Sequence, residues 1–155
     1  MFKTEIFEFN GYQATVIRPE KPNGKWFWKT EFLYAFDQAE RALVDDGYTR
    51  VYYQISDKYG SYNAVRLMRD FHSYAVKTFE LSEKVCLFGF SRGGLYAFNF
   101  ALFYPDCVEK VYLDAPVLDL KDWPIEDSIE QKQMLEEYGL NKETLRTFRG
   151  NPVDN

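Results

Sequence analysis

The chain has 155 residues, 46% of them hydrophobic, 19% aromatic and 28% charged, which suffices for the core of one domain and leaves no room for a second of ordinary size. A net charge of -5 with no basic cluster argues against nucleic-acid or anionic-membrane partners, and no apolar run approaches the ~20 residues of a membrane span. Cys86 and Cys107 lack metal-ligand spacing, so the expectation is a reduced pair in a cytoplasmic domain over 1–155 that holds no metal or cofactor.

Thr4–Phe9 and Tyr12–Ile17 alternate on either side of Asn10-Gly11, the strongest short signal for a two-residue hairpin. That register sets Phe9 opposite Tyr12 and Phe7 opposite Ala14. Pro19, Pro22 and Gly24 break the chain before a short third strand, Lys25–Trp28. Helical spacing of Phe36, Ala39 and Leu43 predicts a helix over Phe36–Val44, stopped by Gly47. Thr49–Ile55, β-branched and aromatic, is a strand. Ser61 caps a helix running to Phe79, with Met68, Phe71, Ala75 and Phe79 on one stripe. Lys84–Gly89 reads as a strand buried on both faces, Arg92–Tyr104 as a helix ended by Pro105, and Val108–Leu113 as the next strand. Asp119–Pro124 is loop-like, 128–138 is a polar helix candidate, and Asn141 caps a last short helix carrying Leu145 and Phe148. Glu126, Asp127, Glu130, Glu136 and Glu137 are expected on a solvated face, with 119–150 as a lid-like helical tail. The alternation gives a three-layer α/β/α class: a mostly parallel sheet of about six strands with an antiparallel N-terminal hairpin.

Chemistry concentrates in Gly89-Phe90-Ser91-Arg92-Gly93, a G-x-S-x-G placed between a buried strand and a helix. A sharp strand-to-helix turn holds the central serine in a strained conformation and lifts its hydroxyl above the sheet edge. Glycines flank it because side chains there would strike the neighbouring strand or helix. The helix that follows aims its N-terminal N–H groups at the place where an oxyanion would form. Trp26, Trp28, Tyr59 and Trp123 are candidates for the core or for a pocket above the sheet. No phosphate loop, dinucleotide fingerprint or metal-ligand cluster is present.

With these residues in place the chain resembles the α/β-hydrolase superfamily over nearly all its length. Trp26–Phe32, Gly89–Leu95 and Asp114–Val117 are similar to a bacterial group of serine hydrolases described as esterase-like or prolyl-oligopeptidase-like. The resemblance implies that Ser91 is the nucleophile for acyl transfer on a small-molecule substrate, most simply a carboxylic ester. It implies one oxyanion donor in the backbone N–H of Arg92 and a second at Lys29 or Thr30. Asp114, after the sixth strand, is either an acid or a capping carboxylate.

The departures matter as much. Ser91 needs a base, and the superfamily takes it from a histidine far downstream. The one histidine here, His72, precedes Ser91 and sits on an apolar helix stripe, where a structural role is expected. The pattern is that of an incomplete α/β-hydrolase fold, cut before its seventh strand. Three readings follow: a serine hydrolase whose base lies elsewhere, an inactive remnant serving as a binding or assembly module, or, third, an atypical dyad in which His72 reaches Ser91. A sixth strand left as the sheet edge is expected to give a homodimer or larger assembly through Val108–Leu113 or the helices beside it.

Overall fold

Asn10 and Gly11 turn the chain with φ values of 49° and 82°, and this turn sets the first register of the sheet. In the computed structural model, which describes residues 1–155, β1 (Lys3–Phe9) and β2 (Tyr12–Arg18) pair antiparallel with Phe9 opposite Tyr12 and Phe7 opposite Ala14, as expected. The chain continues through β3 (Trp26–Lys29), α1 (Gln38–Asp45), β4 (Thr49–Tyr53), α2 (Tyr62–Phe79), β5 (Val85–Phe90), α3 (Gly93–Phe103) and β6 (Val108–Asp114). Two further helices, α4 (Ile129–Tyr138) and α5 (Lys142–Thr147), form the tail. The strand order is β1-β2-β4-β3-β5-β6, antiparallel over the first three and parallel from β4 onward.

Strand alternation divides the two faces. Trp26, Trp28, Val85 and Leu87 enter the main core with Met68, Phe71 and Ala75 of α2 and Phe100 of α3. Phe27, Cys86 and Phe88 point the other way, where Phe27 meets Ile17 and Val44 in a smaller cluster. The three layers are therefore unequal. Trp26 and Trp28 are core residues, which settles their role against a pocket wall.

Some boundaries moved. The third strand starts and ends one residue later than its sequence suggests, and α1 begins at Gln38 rather than Phe36. Phe36 lies outside the helix at φ 50° and is exposed, while the buried positions of α1 are Glu40 and Val44. The helix is thus rotated from its expected stripe, and it turns a carboxylate inward.

The tail packs over the segment that follows β4. Tyr59 Oη donates to Gln133 Oε1 at 2.7 Å, Ser61 Oγ to Glu137 Oε1 at 2.7 Å, and Tyr138 Oη to the Tyr59 carbonyl at 2.8 Å. Glu137 therefore anchors α4 rather than joining the solvated face expected of it. Asn141 caps α5 through a capping box. No helix is long and apolar enough to cross a membrane. At the opposite margin β6 is an edge strand, with Val111 and Tyr112 exposed beside an apolar groove of about 450 Å³ lined by Leu43, Tyr48, Cys86 and Phe88.

Candidate active site

Ser91 occupies the bend between β5 and α3 with φ 52°, a left-handed value that costs a non-glycine residue about 1–3 kcal/mol. Backbone bonds hold it there. Its N–H donates to the Asp114 carbonyl at 3.0 Å, and its carbonyl accepts from Gly94 N at 3.0 Å and Val117 N at 2.8 Å. The three neighbouring glycines are steric requirements. A Cβ on Gly89 would lie 3.0 Å from Ala97 Cβ, on Gly93 2.8 Å from Thr30 Oγ1, and on Gly94 2.5 Å from Pro116 Cβ. Ser91 itself is half-buried, so its side chain keeps contact with solvent.

The loop after β3 is fastened to this bend one residue at a time. Thr30 N donates to the Phe88 carbonyl at 3.0 Å, and Thr30 Oγ1 donates to the Gly93 carbonyl at 2.7 Å. Its N–H is spent on the sheet and is not available to an oxyanion, which corrects Thr30 as a donor. Lys29 is the last residue of β3, paired with Phe88. Its ammonium is buried, 2.6 Å from Glu40 Oε1 and also donating to the Ala35 carbonyl, and Lys29 and Glu40 both line a small cleft at the strand ends. The first N–H after β3 that no acceptor in the chain takes is that of Glu31, and Arg92 N is equally free. Glu31 N lies 3.3 Å from where a Gly93 Cβ would be, directly against the bend.

Glu31 was not anticipated. Its carboxylate is fully buried, accepting from Ser56 Oγ at 2.7 Å on one oxygen and from Arg92 Nε at 2.6 Å on the other. Burial pushes its carboxyl above the ordinary range, and the Arg92 charge with the hydrogen bonds from Ser56 and Arg92 opposes the rise. Arg92 lies over the Phe32 ring at 4.9 Å. Phe32 and Phe36, both at positive φ, pack on Phe90 at 5.7 and 5.4 Å and form an exposed aromatic wall beside the serine.

Asp114 stands at the end of β6, exposed, its carboxylate in no ion pair and its backbone bonded to Ser91 N. With Phe36, Gly89 and Phe90 it lines a small cleft of about 60 Å³ at the strand ends. His72 is elsewhere. Its Nε2 donates to the Glu83 carbonyl at 2.9 Å, its ring packs on Trp26 and Phe100, and burial lowers its pKa below the ordinary imidazole value. Glu83 precedes β5 and Ser91 follows it, so the two sites are separated by about one strand length, roughly 20 Å at 3.3 Å per residue. A His72–Ser91 dyad is geometrically closed.

No family model and no curated protein matches the chain. Solved structures do. FphF, a fluorophosphonate-binding serine hydrolase of Staphylococcus aureus, superposes with a TM-score of 0.70 at 17% identity over 99% of this chain and 71% of its own. S-formylglutathione hydrolase from Staphylococcus aureus gives 0.60 at 19% identity over 95% of this chain and 72% of its own. The chain has the α/β-hydrolase fold. A probable hydrolytic enzyme of Pseudomonas aeruginosa matches at TM-score 0.53 and 21% identity over 80% of this chain, which spans only 46% of that protein. Within the α/β-hydrolase fold, β5, Ser91 and α3 correspond to the strand, turn and helix that a G-x-S-x-G motif requires.

Proposed function

We propose that the chain carries the nucleophile and oxyanion site of a serine hydrolase acting on a small acyl compound, most simply a carboxylic ester. The observation that supports this is Ser91 at φ 52° between β5 and α3, with the unbonded N–H groups of Arg92 and Glu31 beside it. In this reading Ser91 Oγ bonds to the acyl carbon as its proton passes to solvent hydroxide, and the two N–H groups stabilise the charge that moves onto the carbonyl oxygen. Collapse of that intermediate breaks the ester C–O bond. The alkoxide takes a proton from water and leaves as the alcohol, and a second water releases the acid from Ser91. Each such donor is worth about 3–4 kcal/mol of the barrier. The open Asp114 carboxylate belongs to the residue paired with Phe90, next to the serine, and Phe32, Phe36 and Phe90 suit an apolar acyl or alcohol group. The far placement of His72 favours a second reading, an inactive fold kept as a binding or assembly module.

A fluorophosphonate probe separates the two. Labelling is expected on the wild-type chain, abolished in Ser91→Ala and undiminished in His72→Ala. With no imidazole at the serine, the labelling rate should climb steadily with pH and lack the inflection near 6.5 that a histidine base produces. A wild-type chain that stays unlabelled across the pH range supports the module and sinks the hydrolase.

We infer also that a second copy occupies the β6 edge. An antiparallel two-fold centred on Val111 sets Lys110 opposite Tyr112 on the groove face, where ammonium and ring attract. Light scattering should give a dimer mass that falls to the monomer in Val111→Lys/Tyr112→Lys, which plants charge along the edge. A monomer mass for the wild type at high concentration overturns this.

A further inference from the structure

We propose that the Glu31 carboxylate is a positioning residue that sets the separation of the two oxyanion-binding N–H groups, its own and that of Arg92. This rests on the hydrolase reading. The two donors come from segments 61 residues apart in the chain, one after β3 and one after β5, and no strand pairing extends to either residue. Beyond the backbone bond from Thr30 N to the Phe88 carbonyl, their spacing is left to side chains. Thr30 ties the first segment to Phe88 and Gly93, but its bonds stop one residue short of the donor. The next link is the 2.6 Å pair between Glu31 Oε2 and Arg92 Nε, made by the side chains of the very residues whose N–H groups are left unbonded. Ser56 Oγ fixes the other carboxylate oxygen, so the carboxylate cannot rotate away from Arg92 without losing two bonds. Phe32 covers the guanidinium from the adjacent position, completing a grip on Arg92 by consecutive residues.

Charge gives the pair a second consequence. A buried carboxylate next to a forming oxyanion raises the energy of that oxyanion, and the Arg92 guanidinium cancels it. Removing Arg92 therefore harms the site twice, through geometry and through an exposed negative field. Removing the negative charge as well should recover part of the loss. A purely structural pair would give no such recovery in the chemical step.

The test is the kinetics of fluorophosphonate labelling at Ser91, resolved into limiting rate and half-saturating probe concentration. Folding of each variant is checked by circular dichroism. Glu31→Ala should reduce the limiting rate by about 10–100-fold, short of the 10²–10³-fold for outright loss of a donor. Half-saturation should stay within about threefold, because the N–H groups act on the transition state rather than on the bound probe. Arg92→Met should fall as far, and Glu31→Gln/Arg92→Met should label at least about fivefold faster than Arg92→Met alone. If Glu31→Ala does not fold, the comparison of Arg92→Met with the double variant decides. Wild-type labelling with no loss in either single variant, or no recovery in the double, overturns the clamp and leaves the hydrolase reading standing. An unlabelled wild type overturns both.

Discussion

Glu40→Ala should lower the unfolding free energy by about 3–5 kcal/mol, the cost of stripping one partner from a buried ion pair. The side chains of Lys29 and Glu40 are only 2% and 6% exposed and meet at 2.6 Å, so neither charge has water to fall back on. Without Glu40 the Lys29 ammonium keeps the Ala35 carbonyl and the face of Phe90 at 5.9 Å, which compensate only a fraction of its desolvation. The pair itself need not be stabilising. Lys29→Met/Glu40→Leu replaces it with apolar groups of similar volume and should come within about 1 kcal/mol of the wild type, or exceed it. Urea unfolding measures both, with the m-value watched for a change in the unfolded baseline. A Glu40→Ala midpoint indistinguishable from the wild type would mean that water reaches the pair, contrary to the packing described.

This pair also marks the limit of what the amino-acid order discloses. The hairpin was legible because Asn10-Gly11 tolerates the positive φ that both turn positions need, and the bend at Ser91 because three glycines around one serine answer to local sterics. The buried charges were not. A lysine at a strand end and a glutamate on a short helix look solvated until the fold brings them together, and Glu31 finds Arg92 only across 61 residues. The misplaced oxyanion donor has a similar cause. Reading the third strand as Lys25–Trp28 puts the first free N–H at Lys29 or Thr30, whereas the strand runs to Lys29 and Thr30 N still bonds Phe88. The first unbonded N–H is that of Glu31, the donor in the proposed reading. Phe36 illustrates the same limit: helical spacing is satisfied by a residue that in fact sits in a left-handed turn beside the site.

The bend itself yields to one added methyl. Gly94→Ala would put a Cβ 2.5 Å from Pro116 Cβ and 3.0 Å from the Val117 carbonyl, and a proline ring has no rotamer by which to withdraw. The segment 115–117 must move instead. That segment supplies the Val117 N–H to the Ser91 carbonyl at 2.8 Å and adjoins Asp114, whose carbonyl takes the Ser91 N–H at 3.0 Å. Its displacement releases the strained φ of Ser91, so the hydroxyl turns from the proposed acyl site as the overpacked contact relaxes. The stability loss should be about 3 kcal/mol, the upper range for overpacking. Labelling should drop further than that loss explains, since the folded fraction no longer holds the serine upright. Gly139→Ala is the control. It has φ 65° but open space around its Cβ, so it should cost about 1 kcal/mol and leave labelling intact. A Gly94→Ala chain that labels at the wild-type rate would show that 115–117 does not hold Ser91 in place.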